Sequence, residues 1–200
     1  MNRAKLLLAG LILAAAVPAI AQNGPPGAPD PSRVTAGTYA VDPAHSQVTF
    51  TVNHLGFSHY SGIFGNPTGT LTIDPKDPAK AKVSIDVPIN KLVTTVDKLT
   101  EHLLSPDFFE QGSYPSAHFE STSIEASGTR AKISGNLTIK GITKPVVLDA
   151  TFVGAGAMRG KLTIGFDATT TIKRSEFNIL RSIPGIPDAV PLTIAVAFEK

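Results

Sequence analysis

Histidines are the residues of this chain best suited to metal or proton chemistry, and there are five of them. His45, His54 and His59 lie within fifteen residues of one another, whereas His102 and His118 come later. A zinc site needs three or four ligands that converge at about 2 Å, usually with a short spacing such as His-x-x-x-His on a helix. No such spacing occurs, and in a strand His45 and His54 would face opposite sides. The sequence therefore predicts no metal centre.

A serine nucleophile with a histidine base is the next chemistry to consider, and Ser46 stands beside His45. Adjacent residues of a strand face opposite ways, and the chain lacks the Gly-x-Ser-x-Gly elbow that presents a catalytic serine. Asp107 is better explained as a turn residue. Gly154-Ala155-Gly156 precedes no predicted helix, so we expect a hairpin loop there rather than a phosphate-binding loop. We therefore predict that the protein is not an enzyme and has no cofactor.

The composition excludes further classes of function. The 200 residues are 42% hydrophobic, 17% charged and contain no cysteine. Without a thiol there is no disulfide framework, no cysteine-ligated zinc and no lipoprotein anchor. Beyond residue 21 the chain has 16 basic and 16 acidic residues, and this neutral balance argues against a nucleic-acid partner.

The first 21 residues are typical of a cleaved signal peptide. A basic start with Arg3 and Lys5 precedes an apolar run over residues 6–17, and Ala19-Ile20-Ala21 has the small-x-small form of a cleavage site. The run is shorter than the roughly 20 residues that span a bilayer. We expect cleavage before Gln22, export to the periplasm, and a flexible Pro/Gly-rich linker over residues 22–36.

Residues 37–200 form the folded domain in this prediction, and their dominant pattern has a period of two. Such alternation is typical of strands with one apolar face. It occurs at about eight places, in residues 48–52, 71–73, 83–87, 133–139, 146–152, 162–166 and 190–198 among others.

One segment has a helical period instead. Leu92, Val96, Leu99 and Leu103 are spaced by four, three and four residues, which predicts a short amphipathic helix that ends near Ser105. About eight strands without βαβ spacing indicate an all-β antiparallel barrel or sandwich. The surplus of aliphatic inward positions, and the Phe108-Phe109 pair beyond the helix, favour a barrel with a ligand cavity.

Three blocks of sequence resemble the YceI-like polyisoprenoid-binding proteins. The first is DPAHSQVTFTVNHLGFS at residues 42–58 with GIF at 62–64. The second is EHLLSPDFF at 101–109, followed by YP at 114–115 and FEST at 119–122. The third is GNLTIKGITKPV at 135–146. The blocks occur in order, and the similarity extends from about Gly37 to the C-terminus.

This resemblance implies a lipocalin-like, eight-stranded antiparallel β-barrel whose apolar tunnel holds an isoprenoid tail. The ligand classes it implies are polyprenyl phosphates, polyprenyl quinones and fatty-acid derivatives. One departure is visible at residues 174–178, where RSEFN has Asn178 in place of the family's usual glycine. Asparagine tolerates a positive φ better than most residues, so we expect the bend to persist.

The alternation and the resemblance together predict the residues of the lipid site. Burial of apolar surface, at about 25 cal/mol per Å², is what would bind a prenyl chain. We expect the lipid tail to contact Val48, Phe50, Val52, Leu71, Ile73, Val83, Ile85, Val87, Leu99, Leu103, Phe108 and Phe109. For the head group, the polar residues at segment ends inside the matched blocks are the candidates, namely His54, Ser58, His102 and Arg174.

Three functions stay open at this point. The leading one is an exported soluble protein that binds a polyisoprenoid or related amphiphile for carriage, storage or sequestration. Such a protein could also form a homodimer and make transient contact with a membrane. A ligand-free dimeric interaction barrel would instead have a filled interior. An envelope enzyme acting on an isoprenoid lipid would need a polar cluster inside the tunnel.

Overall fold

A computed structural model describes residues 24–200, so the predicted signal peptide lies outside the described residues. The strands are β1 (Gly37–Val41), β2 (Gln47–His54), β3 (Ser58–Gly65), β4 (Thr68–Ile73), β5 (Lys82–Pro88), β6 (Leu92–Val93), β7 (Ser116–Ser127), β8 (Arg130–Ile139), β9 (Ile142–Met158), β10 (Lys161–Lys173) and β11 (Ala189–Glu199). The helix α1 spans Asp97–Leu104. Within the described residues no helix is long and apolar enough to cross a membrane.

The strands close into an eight-stranded antiparallel barrel, as the sequence predicts. The order around the barrel is β1-β4-β5-β7-β8-β9-β10-β11, and β11 pairs back onto β1. Strands β2, β3 and β6 continue β1, β4 and β5 towards one end of the barrel, with β2 paired to both β11 and β3. Residues 42–46 separate β1 from β2, and residues 66–67 separate β3 from β4.

As the period of two predicts, alternate residues of each strand face the interior of the barrel. In β9, for example, Val146, Leu148, Ala150 and Phe152 all line the interior, while the alternate residues Val147, Asp149 and Thr151 are exposed. The apolar residues form two clusters, one at each end of the barrel.

We refer to these two ends by what covers them. The helix end carries α1, residues 105–115 and the loop 174–188, and its cluster is centred on Phe64, Leu92 and Phe177. The tail end carries residues 24–36, the loop 74–81 and the β7–β8 turn, and its cluster is centred on Tyr39 and Ile164.

The helix is shorter than its apolar period predicts. Leu92 lies in β6, paired with Phe64 and only 2% exposed, so the sheet takes this residue before the helix begins. Val96 is the N-cap residue rather than an interior one. The predicted end near Ser105 is confirmed, because Ser105 is the C-cap.

Two local predictions at the tail end are wrong. Gly154-Ala155-Gly156 lies inside the 17-residue strand β9 and is not a loop. The predicted linker also reaches too far, because Val34 is only 8% exposed and Ala28 pairs with Ala155. The folded part therefore begins before Gly37. Both errors have one cause, since the small residues of β9 leave room for the tail to pack against them.

Candidate functional site: an apolar cavity along the barrel

The interior of the barrel contains a cavity of about 420 Å³ that reaches from one cluster to the other. Of its 48 lining residues within the described part of the chain, only five have polar side chains, namely Gln47, Thr129, Arg130, Thr170 and Arg174. Small-molecule sites typically occupy roughly 300–1,000 Å³ and are mostly apolar with a few placed polar groups. The wall is therefore suited to a long apolar chain, which binds by losing contact with water.

The two ends of the cavity differ in their exposure to solvent. Eight lining residues are exposed, and seven of them lie at the tail end, with Gln47 as the exception. These seven are Pro31, Pro75, Pro78, Ala126, Gly128, Thr129 and Arg130. At the helix end the lining residues, such as Ile89, Phe109 and Ile179, are buried or half-buried. The cavity wall is therefore most exposed at the tail end and is covered at the helix end, and we take the tail end as the opening of the cavity.

Arg174 organises the closed end. Its side chain is 6% exposed, and Nε donates to the carbonyl of Pro187 at 2.9 Å. Nη1 donates to the carbonyls of Ile179 and Arg181, and Nη2 donates to that of Ile186 at 2.8 Å. Four of the five guanidinium N–H groups are thus directed at backbone oxygens of one loop. Arg174 holds the loop 178–188 across the barrel.

The loop has two further supports. Ser175 donates its backbone N–H and its hydroxyl to the two carboxylate oxygens of Asp188, at 2.8 and 2.7 Å. These hydrogen bonds lower the pKa of Asp188, with the charge of Arg174 as a smaller cause. Burial lowers the pKa of Arg174, and Asp188 opposes that shift. Asn178 adopts the left-handed conformation at φ 57°, as expected for asparagine in place of glycine.

Aromatic side chains complete the closed end. The rings of Phe64 and Phe109 meet edge to face at 5.3 Å, and those of Phe50 and Phe64 lie 6.0 Å apart. Phe108 lies edge to face with His102 at 5.0 Å. The backbone N–H of Phe109 donates to the carbonyl of Leu103, which holds the aromatic pair beneath α1.

Eleven of the twelve predicted tail-binding residues line the cavity. The eleven are Val48, Phe50, Val52, Leu71, Ile73, Val83, Ile85, Val87, Leu103, Phe108 and Phe109. Leu99 is half-buried on α1 and is not among the lining residues. The placement of the eight residues on β2, β4 and β5 follows from the alternation of these strands. Whether the eleven residues bind a lipid stays a prediction.

The four predicted head-group residues do not come together in one pocket. His54 and Ser58 are exposed partners at the tip of the β2–β3 hairpin. The Nε2 atom of His102 lies 3.2 Å from the Oδ2 atom of Asp107, and Arg174 is committed to the loop carbonyls. All four lie at the helix end, away from the exposed part of the lining. Their role in binding a head group stays a prediction.

Other parts of the wall were not among the predicted site residues. Nineteen of the 48 described lining residues lie on β8 to β11, among them Ile133, Ala168 and Ile194. The same alternation marks these residues, so the signal was present. Pro31 and Val34 of the N-terminal tail also line the cavity, and no periodic pattern marks them. No group of three potential metal ligands occurs within residues 24–200.

Comparison with known proteins identifies the family. The YceI-like domain model matches residues 39–198. Protein YceI of Escherichia coli O6:H1 is 37% identical over 164 residues, which cover 80% of this chain and 86% of that protein.

Solved structures show the same barrel. Burkholderia cenocepacia BcnA superposes with a TM-score of 0.71 and 25% identity, covering 78% of this chain and 98% of that one. The Campylobacter jejuni YCEI protein gives a TM-score of 0.66 and 30% identity over 74% of this chain and 89% of that one. A structure described as a polyisoprenoid binding domain from Saccharophagus degradans, at 15% identity, shares the fold with a TM-score of 0.60 over 80% of this chain and 97% of that one. The chain belongs to the YceI family.

Proposed function

We propose that this protein binds a polyisoprenoid or a related amphiphilic lipid inside the barrel, for carriage, storage or sequestration. The observation that carries the proposal is the cavity wall, in which 43 of 48 lining residues have apolar side chains or are glycine. A prenyl chain offers no hydrogen bonds, so its affinity comes from buried area less the cost of ordering its rotors. The related fold described as a polyisoprenoid binding domain supports the same ligand class.

The polar end of such a lipid belongs at the tail end. An uncompensated charge is costly to bury in an apolar wall, whereas the tail end is exposed. Arg130 is an exposed lining residue, and in the described part of the chain no carboxylate pairs with its guanidinium. A phosphate head group would find a cation there, so we place the head group beside Arg130 rather than at the four residues of the helix end.

The cavity also bears on the two alternatives. A ligand-free interaction barrel would fill its interior, whereas this interior has room for a chain. An enzyme would need a cluster of polar groups around the lipid, and in the described residues the charged lining groups are Arg174, bonded to carbonyls, and Arg130 at the opening. Binding is therefore the better interpretation. Export to the periplasm by residues 1–21, a homodimer and membrane contact remain predictions.

A substitution that fills the lumen tests the proposal. Ala168 of β10 lines the cavity, is 6% exposed and is paired with Ala150 of the neighbouring strand β9. A phenyl ring at residue 168 would therefore occupy the path of the lipid chain. We expect Ala168→Phe to weaken binding of a dansylated geranylgeranyl probe by about tenfold or more in a fluorescence titration. Thr169→Phe is the matched control, because Thr169 is the next residue and is exposed. Equal affinity of the two variants for the probe would contradict binding in the lumen.

A further inference from the structure

The N-terminal tail forms a defined element beside the opening of the cavity. We call residues 26–34 the strap. It lies outside residues 39–198, which the family model matches, and it runs along the part of β9 that extends past the first residue of β8. The strap is thus outside the part of the chain that the family model matches.

The strap is attached to β9 by a small antiparallel bridge. The N–H of Ala28 donates to the carbonyl of Ala155 at 3.1 Å, and the N–H of Ala155 donates to that of Ala28 at 2.9 Å. The glycines on either side of Ala155 make this approach feasible. A Cβ on Gly154 would lie 3.0 Å from the carbonyl oxygen of Ala28, and a Cβ on Gly156 would clash with the carbonyl of Pro26.

A second attachment lies at the other end of the strap. Val34 is buried in the cluster around Tyr39 and Ile164. The Tyr39 hydroxyl donates to the carbonyl of Thr35 at 2.7 Å and accepts from its N–H at 3.3 Å. Between the two attachments, Asp30 accepts hydrogen bonds from the backbone N–H and the hydroxyl of Ser32. The strap therefore has a fixed path and its own internal turn.

This path carries the strap across the open end of the cavity. Pro31 and Val34 both line the cavity, together with Pro75 and Pro78 of the loop opposite and Thr129 of the β7–β8 turn. A chain inside the barrel would therefore contact the strap on its way to solvent. The strap is held by few contacts, in contrast to the four-carbonyl network of Arg174 at the other end.

We propose that the strap is part of the ligand site and retains the bound chain, with Pro31 and Val34 as wall residues that must move before the lipid leaves. This inference rests on the proposed function and assigns the ligand's exit to one end of the barrel. Undocking the strap should then raise the dissociation rate of the lipid, because Pro31 and Val34 would no longer hold the bound chain.

Two variants of the full chain undock the strap without removing it. Gly156→Ala places a methyl group against Pro26, and Ala28→Pro deletes the N–H that donates to Ala155. Gly165→Ala is the matched control, because Gly165 lies directly across the ladder from Gly154 and its Cβ would meet no atom closer than 3.8 Å. Amide hydrogen exchange at Ala155 reports whether the strap has undocked.

The readout is the release rate of the dansylated geranylgeranyl probe, chased with excess geranylgeraniol. We expect Gly156→Ala and Ala28→Pro to release the probe about tenfold faster than the unsubstituted protein, and Gly165→Ala to match it. Unchanged release from a variant whose Ala155 amide has lost protection would overturn the role of the strap while leaving the proposed function intact. A failure of the unsubstituted protein to bind the probe would overturn the proposed function, and the strap's role with it.

Discussion

The two ends of the barrel are both covered by chain outside the strands, but the covers are held by different chemistry. At the helix end, a buried guanidinium donates to four carbonyls of the loop 178–188, and aromatic rings pack beneath it. At the tail end, the strap is held by a two-hydrogen-bond bridge, by one buried valine and by the hydrogen bonds between Tyr39 and Thr35. We call the loop 178–188, together with Arg174 and the aromatic rings beneath it, the plug. The plug is fixed, whereas the strap can be released.

This difference gives the cavity a direction. The closed end combines charge-assisted hydrogen bonds with core packing, so opening it would expose several unsatisfied carbonyls. The tail end has seven exposed lining residues, and the cation Arg130 is one of them. A lipid with an apolar tail and a polar head fits this polarity in one orientation, with its tail towards Phe109.

The largest expected effect comes from breaking the plug. Arg174→Ala removes the donors to four carbonyls, and we expect it to lower the free energy of unfolding in urea by about 3–5 kcal/mol. Lys173→Ala is the control, because Lys173 is an exposed neighbouring cation and its loss should cost less than about 0.5 kcal/mol. An Arg174→Ala protein as stable as the control, with reduced affinity for geranylgeranyl phosphate, would instead support the head-group role predicted from sequence.

A smaller loss of stability is expected at the strap. Tyr39→Phe deletes the hydroxyl that bonds Thr35, and we expect it to lower the free energy of unfolding by about 1 kcal/mol. Tyr60→Phe removes a hydroxyl that bonds Thr95 at an exposed position, so its effect should be smaller. If Tyr39→Phe destabilised the protein as strongly as Arg174→Ala, the contrast between the two ends would not hold.

The head-group position gives an effect on affinity rather than stability. Arg130→Ala should lower the affinity for geranylgeranyl phosphate by about two- to fivefold, the magnitude of an exposed ion pair, and leave the affinity for geranylgeraniol unchanged. Lys132→Ala, two residues along the same strand, should leave both affinities unchanged. A loss of phosphate affinity in the control and not in Arg130→Ala would place the head group elsewhere.

Acid should weaken the plug by the smallest amount. Because the hydrogen bonds from Ser175 lower the pKa of Asp188 below its ordinary value of 3.8, the ionised carboxylate stabilises the folded state. That contribution is complete above the pKa of the unfolded chain and is lost as the pH falls through the lower pKa of the folded state. We expect the difference in urea midpoint between the unsubstituted protein and Asp188→Asn to shrink from pH 6 to pH 3. A constant difference over that range would contradict the role of Asp188.

Much of the barrel could be predicted from the sequence because its information is local. Alternation in residues 48–52, 83–87 and 190–198 sets both the strands and their inward faces, and eleven of twelve predicted wall residues line the cavity. The predicted helix begins too early, because an apolar residue such as Leu92 fits either a helix or a sheet. Leu92 joins the sheet by pairing with Phe64, which is distant in sequence.

The loop 178–188 and the strap could not be predicted, because each depends on a long-range contact with backbone atoms. Arg174 acts on carbonyls that converge only after the loop 178–188 has folded back. Gly154 and Gly156 look like loop residues until the strap is placed against them. No periodic pattern encodes either contact, so the sequence alone does not predict how the two ends differ.

The central claim, that the barrel holds a prenyl lipid, is tested most directly by native mass spectrometry of the protein recovered from its host without detergent, followed by organic extraction. We predict a stoichiometric mass excess that is extracted as a prenyl or related acyl lipid. Bare protein that also takes up neither geranylgeraniol nor geranylgeranyl phosphate would contradict the account and favour an interaction barrel.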